Sequence, residues 1–214
     1  MIYKLAVLLL LCTIGCSRQD AESELSFAKK LPTASPPLGS ELHENSEDGF
    51  SIYLPAGWGA ISDEALAAQG AAVSGPEVTI EYLAGYQVVS NDLFVHPFVL
   101  VRKLPDTAMP REKIKAAQQL MLQSGNEIAQ RVEQNSGLQL NMELGVPVLE
   151  KETGIVWLKF QLDGTDAQRV EGIMAHYYVD GHILQFIAGT TKARAQEDWT
   201  VLEQILRTIQ IHSR

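Results

Sequence analysis

The sequence predicts an α+β domain, an antiparallel β-sheet covered by helices on both faces. Three observations carry that expectation. Strand-like alternation recurs through the second half of the chain and turns at Asp180-Gly181, a two-residue hairpin signal in which both positions prefer positive φ. The period becomes helical over Pro110 to Gln134, and again where Trp199, Leu202, Leu206 and Ile209 are spaced 3, 4 and 3. Pairing the strands outward from Asp180-Gly181 leaves large apolar groups on both sides of the hairpin, so both sides call for cover.

The chain opens MIYKLAVLLLLCTIGCSRQD. Its apolar run, Leu5 to Leu11, is far shorter than the ~20 residues of a membrane-spanning helix. One positive charge precedes it and small residues follow, the layout of a secretory signal peptide. Thr13-Ile14-Gly15-Cys16 resembles the bacterial lipobox. That resemblance implies cleavage between Gly15 and Cys16 and acylation of Cys16. Cys12 does not fit the role, because bulky Leu11 precedes it. Two or three acyl chains, at ~0.8 kcal/mol per buried methylene, hold a protein on a bilayer stably where one does not. Ser17 stands where aspartate would signal inner-membrane retention. The expected location is therefore the envelope, and in a host with two membranes the outer one, facing the periplasm.

Cleavage leaves 199 of the 214 residues and no cysteine other than Cys16, so neither a disulfide nor a cysteine metal cluster is expected. Losing Lys4 moves the net charge from −9 to −10, with 16 basic against 26 acidic residues. An acidic chain without Lys/Arg-rich runs argues against nucleic acid and against electrostatic docking to anionic lipid. Three segments follow: a signal peptide over 1–15, a lipidated N-terminus and flexible tether over 16–48, and a single globular domain over 49–214. The tether mixes Pro32, Pro36 and Pro37 with Ser, Glu and Asp and has no sustained apolar period.

In the domain, Phe50, Ile52 and Leu54 alternate with polar neighbours and predict a half-buried strand ended by Pro55. Ser62 is the N-cap of a short helix to about Ala68, with Asp63 and Glu64 in its first turn. Strands are expected over Val78 to Tyr82 and over Phe94 to Leu104, where Pro97 suggests an edge or a bulge. The helical period over Pro110 to Gln134 is interrupted at Ser124-Gly125, which implies a kink or two abutting helices. Strands then follow over Val146–Glu150, Gly154–Leu162, Arg169–Val179 and His182–Thr190, before the closing helix.

This order, with the opening GFSIYLPAGW and the closing DWTVLEQILRTIQI, resembles the PsbP-like superfamily over Gly49 to Ile211. The resemblance implies an α/β/α sandwich serving as a binding or assembly module, with no shared catalytic residues. Leu54, Pro55 and Trp58 of the opening motif then read as strand end, turn and packed aromatic.

No Gly-x-Ser-x-Gly elbow, P-loop or Gly-x-Gly-x-x-Gly occurs. His43-Glu44-Asn45-Ser46-Glu47 lacks a second histidine at the zinc-protease spacing. His176 and His182 flank the hairpin turn on opposite faces, and His96 sits beside Phe94 and Phe98. Tyr82 and Tyr86 could line a groove or pack an edge strand. The expectation is no enzyme, no metal and no cofactor. Two functional classes stand: a protein-interaction or assembly module with an envelope protein as partner, or a carrier or sensor for a small apolar ligand held between sheet and helices. Ile173, Ala175, Tyr177, Leu184 and Phe186 mark one hairpin face as main core. The other face interleaves His176 and Gln185 with Met174, Tyr178 and Ile187. That mixture suits a partly open binding surface. It suits better still a pair, His176 and Gln185, hydrogen-bonded to each other under a helix layer.

Overall fold

The computed structural model describes residues 35–36, 38–74, 79–90, 95–105, 140–164, 169–179 and 181–212. Phe50–Leu54 forms the expected strand, here β2, and Phe50, Ile52 and Leu54 are all buried. The tether expected over 16–48 nevertheless contains a strand. Glu41–Asn45 (β1) pairs antiparallel with β2, joined by a turn in which Asn45 Oδ1 accepts from the Asp48 N–H at 2.9 Å and Gly49 takes φ 73°. The strand is mostly exposed and is set by pairing with its partner, so the local composition ELHEN carries no apolar period for it. Gln210–Ile211 (β11) pairs with the other edge of β2, closing a three-stranded sheet in the order β1-β2-β11.

Trp58–Ala60 (β3) begins the larger sheet, and Ser62 caps the next helix, Asp63–Val73 (α1), its hydroxyl accepting from the Ala65 N–H at 3.3 Å. The strand expected over Val78 to Tyr82 lies later, at Ala84–Val88 (β4). Ser74 Oγ takes the Ile80 N–H at 2.8 Å, which holds the chain there in a loop. Phe98–Pro105 (β5) is an internal strand between β4 and the last hairpin, and Pro97 sits just before it instead of marking an edge. Leu140–Leu144 (β6) and Val148–Leu149 (β7) precede Val156–Gly164 (β8), Arg169–Val179 (β9) and His182–Thr191 (β10). Helix Lys192–Arg207 (α2) follows β10. The larger sheet runs β3-β4-β5-β10-β9-β8-β6, with β7 also on β8. The helix expected over 110–134 lies outside the described residues.

The hairpin register follows from the turn. Tyr177 faces Leu184, Ala175 faces Phe186 and Ile173 faces Ala188; Tyr178, His176 and Met174 face Ile183, Gln185 and Ile187. The two faces feed two cores. Ile173, Ala175, Tyr177, Leu184 and Phe186 pack with β2 and with Leu202, Ile205 and Leu206 of α2. The opposite face packs Met174, Ile183 and Ile187 with Phe98, Leu100, Leu158, Phe160 and Leu66 of α1. Among the described residues the fold is therefore mostly antiparallel sheet with two helices. On the second face Phe160, Gly172, Gly189 and Phe98 are directly cross-strand in one row. A Cβ on Gly189 would lie 2.6 Å from the Phe98 ring, and one on Gly172 would collide with the Phe160 ring and the Ala188 carbonyl.

Candidate functional site

The mixed face resolves into a second transverse row. Val156, His176, Gln185 and Arg102 are direct cross-strand neighbours on β8, β9, β10 and β5. The rows beside it are apolar, Leu158–Met174–Ile187–Leu100 on one side and Tyr178–Ile183–Leu104 on the other. Burying polar groups there requires that they satisfy one another, and they do so in a directed chain. His176 Nδ1–H donates to the Val156 carbonyl at 3.0 Å. His176 Nε2 then accepts from Gln185 Nε2–H at 2.7 Å, and the same amide nitrogen donates to Met174 Sδ at 3.4 Å. Gln185 Oε1 accepts from Arg102 Nε–H. The tautomer is assigned from these partners.

Met174, His176 and Gln185 are 0 % exposed and Arg102 5 %. Burial pushes the His176 imidazole down from 6.5 to about 4; the Val156 carbonyl acts against that shift and the Arg102 charge with it. At neutral pH the ring is uncharged and both nitrogens are committed. No lone pair is left for a metal or for general-base work. Tyr178 is half-buried and packs against the same apolar cluster. The structure thus brings together all four of the expected binding residues, and it connects Met174, His176 and Gln185 by hydrogen bonds inside the molecule, not across an open surface.

The other candidates are dispersed. His43 meets the Tyr86 ring edge-on, centroids 5.7 Å apart. Tyr86 belongs to the α2-side core and Tyr82 to the other, so they do not line one groove. Burial, with a contribution from Asp48, raises the Tyr86 phenol above its ordinary value. His182 is half-buried at the start of β10 and His96 is half-buried in the bend before β5. Among the described residues no three His, Cys, Asp or Glu side chains are grouped to hold a metal ion, and no helix is long and apolar enough to cross a membrane. Gly15 and Cys16, the expected cleavage and lipidation residues, lie outside the described residues.

No family model matches the sequence, and no curated protein matches it. Solved structures do. The cyanobacterial PsbP (CyanoP) of Synechocystis sp. PCC 6803 superposes with a TM-score of 0.52 at 10 % identity, covering 86 % of this chain and 99 % of that one. The fold is PsbP-like. The Ran-binding protein Mog1p of Saccharomyces cerevisiae gives a TM-score of 0.44 at 11 % identity, over 81 % of this chain and 96 % of that one. LpqN of Mycobacterium tuberculosis, described as involved in cell envelope biogenesis, gives 0.38 at 11 % identity, over 81 % and 90 %.

Within the PsbP-like fold, two polar clusters escaped sequence reasoning. One is Arg102 itself. Its position shares a face with Phe98, Leu100 and Leu104, and a lone basic residue in that register is the signal that marks it. The other ties α2 to the β7–β8 turn. Arg207 bonds Glu150 at 3.1 Å and Glu203 at 3.2 Å and lies 5.0 Å from the Trp157 ring centroid. Beside it the Tyr177 hydroxyl donates to the Leu206 carbonyl at 2.9 Å, and burial, followed by the Glu150 charge, raises its pKa.

Proposed function

We propose that the chain is a bacterial envelope lipoprotein, anchored through acylated Cys16, whose PsbP-like domain is a non-catalytic protein-interaction or assembly module. The observation that carries this is Thr13-Ile14-Gly15-Cys16, placed directly after a short apolar run and ahead of a tether. The non-catalytic part is supported by the polar row of the sheet, where the side chains are hydrogen-bonded to each other inside the core. The same reading takes the sheet as a sandwich with helices on both faces, α2 on one and α1 on the other. The apolar packing on both faces supports it. In a host with two membranes the outer membrane, facing the periplasm, is the proposed location.

Metabolic labelling tests the anchor. The native chain grown with labelled palmitate should carry label and sediment with membranes, and Cys16→Ala should do neither. An unlabelled native chain removes the anchor from the reading. Crosslinking in intact envelopes, followed by pull-down with the anchor retained, should recover a protein partner. Co-purification of a small apolar molecule without a protein would replace the module by a carrier.

A further inference from the structure

The row of Val156, His176, Gln185 and Arg102 has a direction, and direction makes it sensitive to one proton. We propose that this row is an acid-sensitive latch: a proton on His176 Nε2 breaks it and loosens the centre of the sheet where β5, β10 and β9 meet. The inference rests on the geometry alone and stands apart from the envelope reading.

His176 Nε2 is the acceptor for Gln185, and Nδ1 already donates to Val156. A second ring proton therefore points at an amide N–H, donor against donor. Turning the Gln185 amide over offers Oε1 to the imidazolium but turns the NH2 toward Arg102 Nε–H, which donates to Gln185 Oε1. The clash moves one place along the row and is not removed. The turn also takes the Gln185 N–H away from Met174 Sδ. The new charge would share a buried row with the Arg102 guanidinium, where burial weakens the screening that the exposed ends of a sheet enjoy. Among the described residues, the groups facing the imidazole are the Val156 carbonyl on β8, Gln185 on β10 and Arg102 on β5. Tyr178 is the nearest titratable side chain along its own strand face.

The sign follows from the neutral native ring. In the unfolded chain histidine takes its proton near 6.5, whereas His176 in the fold does so at about 4. The stability held by the row is complete above 6.5. It falls as pH drops from there toward 4, then levels. Across that window the opening constant of the surrounding sheet rises on the order of 10²-fold.

The test uses the full chain at constant ionic strength. Amide exchange in β5, β9 and β10 is followed from pH 7 to 4 and corrected for intrinsic rates. The wild type is compared with His176→Gln, which cannot titrate, and with Gln185→Glu, which sets a carboxylate between Arg102 and His176. The wild type should open on the order of 10²-fold more than His176→Gln over the window. In Gln185→Glu the acid response should vanish or reverse, because the imidazolium gains an acceptor. Imidazole nitrogen NMR of the wild type provides a readout independent of either variant's folding: His176 should be the Nδ1–H tautomer at pH 6 and titrate well below its ordinary value. An imidazole titrating near 6.5, or parallel opening profiles in wild type and His176→Gln, overturns the latch.

Discussion

Gly172 and Gly189 lie between two phenylalanines in one cross-strand row, and their missing side chains leave the space those rings occupy. Ala at 172 forces the Phe160 ring or the β9–β10 pairing to shift, since the backbone carbonyl of Ala188 cannot turn away without breaking the ladder. Overpacking of this kind costs about 1–3 kcal/mol, and the expected Tm of Gly172→Ala is lower by roughly 2–12 °C. Thermal unfolding of purified Gly172→Ala checks it, and an unchanged Tm would show that the rings move freely. A strand glycine signals close approach even in sequence, but which ring approaches is set by the neighbouring strand, β8 for Gly172 and β5 for Gly189. Arg102 repeats the lesson. Its place on an apolar face is visible in FVLVRKL, whereas its partner Gln185 is 83 residues distant and appears only once β5 and β10 pair.

Elements differ in how much of their stabilisation is local. β9 and β10 carry apolar groups on both faces and share a short turn with Gly181 at φ 74°, so their extent and register could be read directly. β1 and β6 are short and terminal in their sheets, and pairing with β2 and β8 is what defines them. β4 lies at Ala84–Val88, later than the expected strand, and carries a glycine. Gly85 is there because a Cβ would lie 2.7 Å from Leu66 Cδ2, so α1 settles directly onto the strand. The mixed hairpin face was legible as a choice between surface and internal hydrogen bonding, and cross-strand geometry decided it. α2 is held at its end by Arg207, 8 % exposed at the side chain, against Glu150, 7 % exposed. Arg207→Ala leaves that carboxylate without its cation and should cost about 3 kcal/mol. Glu150→Gln in the same background should recover part of the loss. Chemical denaturation of both single variants and the double variant measures the coupling, and strictly additive effects would mean that the pair contributes nothing.

Taken whole, the molecule has its first and last described strands on either side of one strand. β2 receives β1 across a short turn and β11 from about 160 residues further on, while the Tyr53 N–H donates to Thr208 Oγ1 at 3.1 Å and the His212 N–H to the Gly49 carbonyl at 2.8 Å. Brief proteolysis should therefore trim the Pro/Ser-rich stretch before residue 41 and leave a fragment that retains Glu41–Asn45. A chain stopped after Arg207 should be digested throughout under the same conditions; equal resistance would show that β11 is dispensable. The consequence concerns timing. A chain delivered N-terminus first presents Phe50, Ile52 and Leu54 early, yet their cover from α2 is among the last segments to arrive. Contacts of such sequence separation form slowly. As the chain is made, the core around β2 therefore stays open until α2 has emerged.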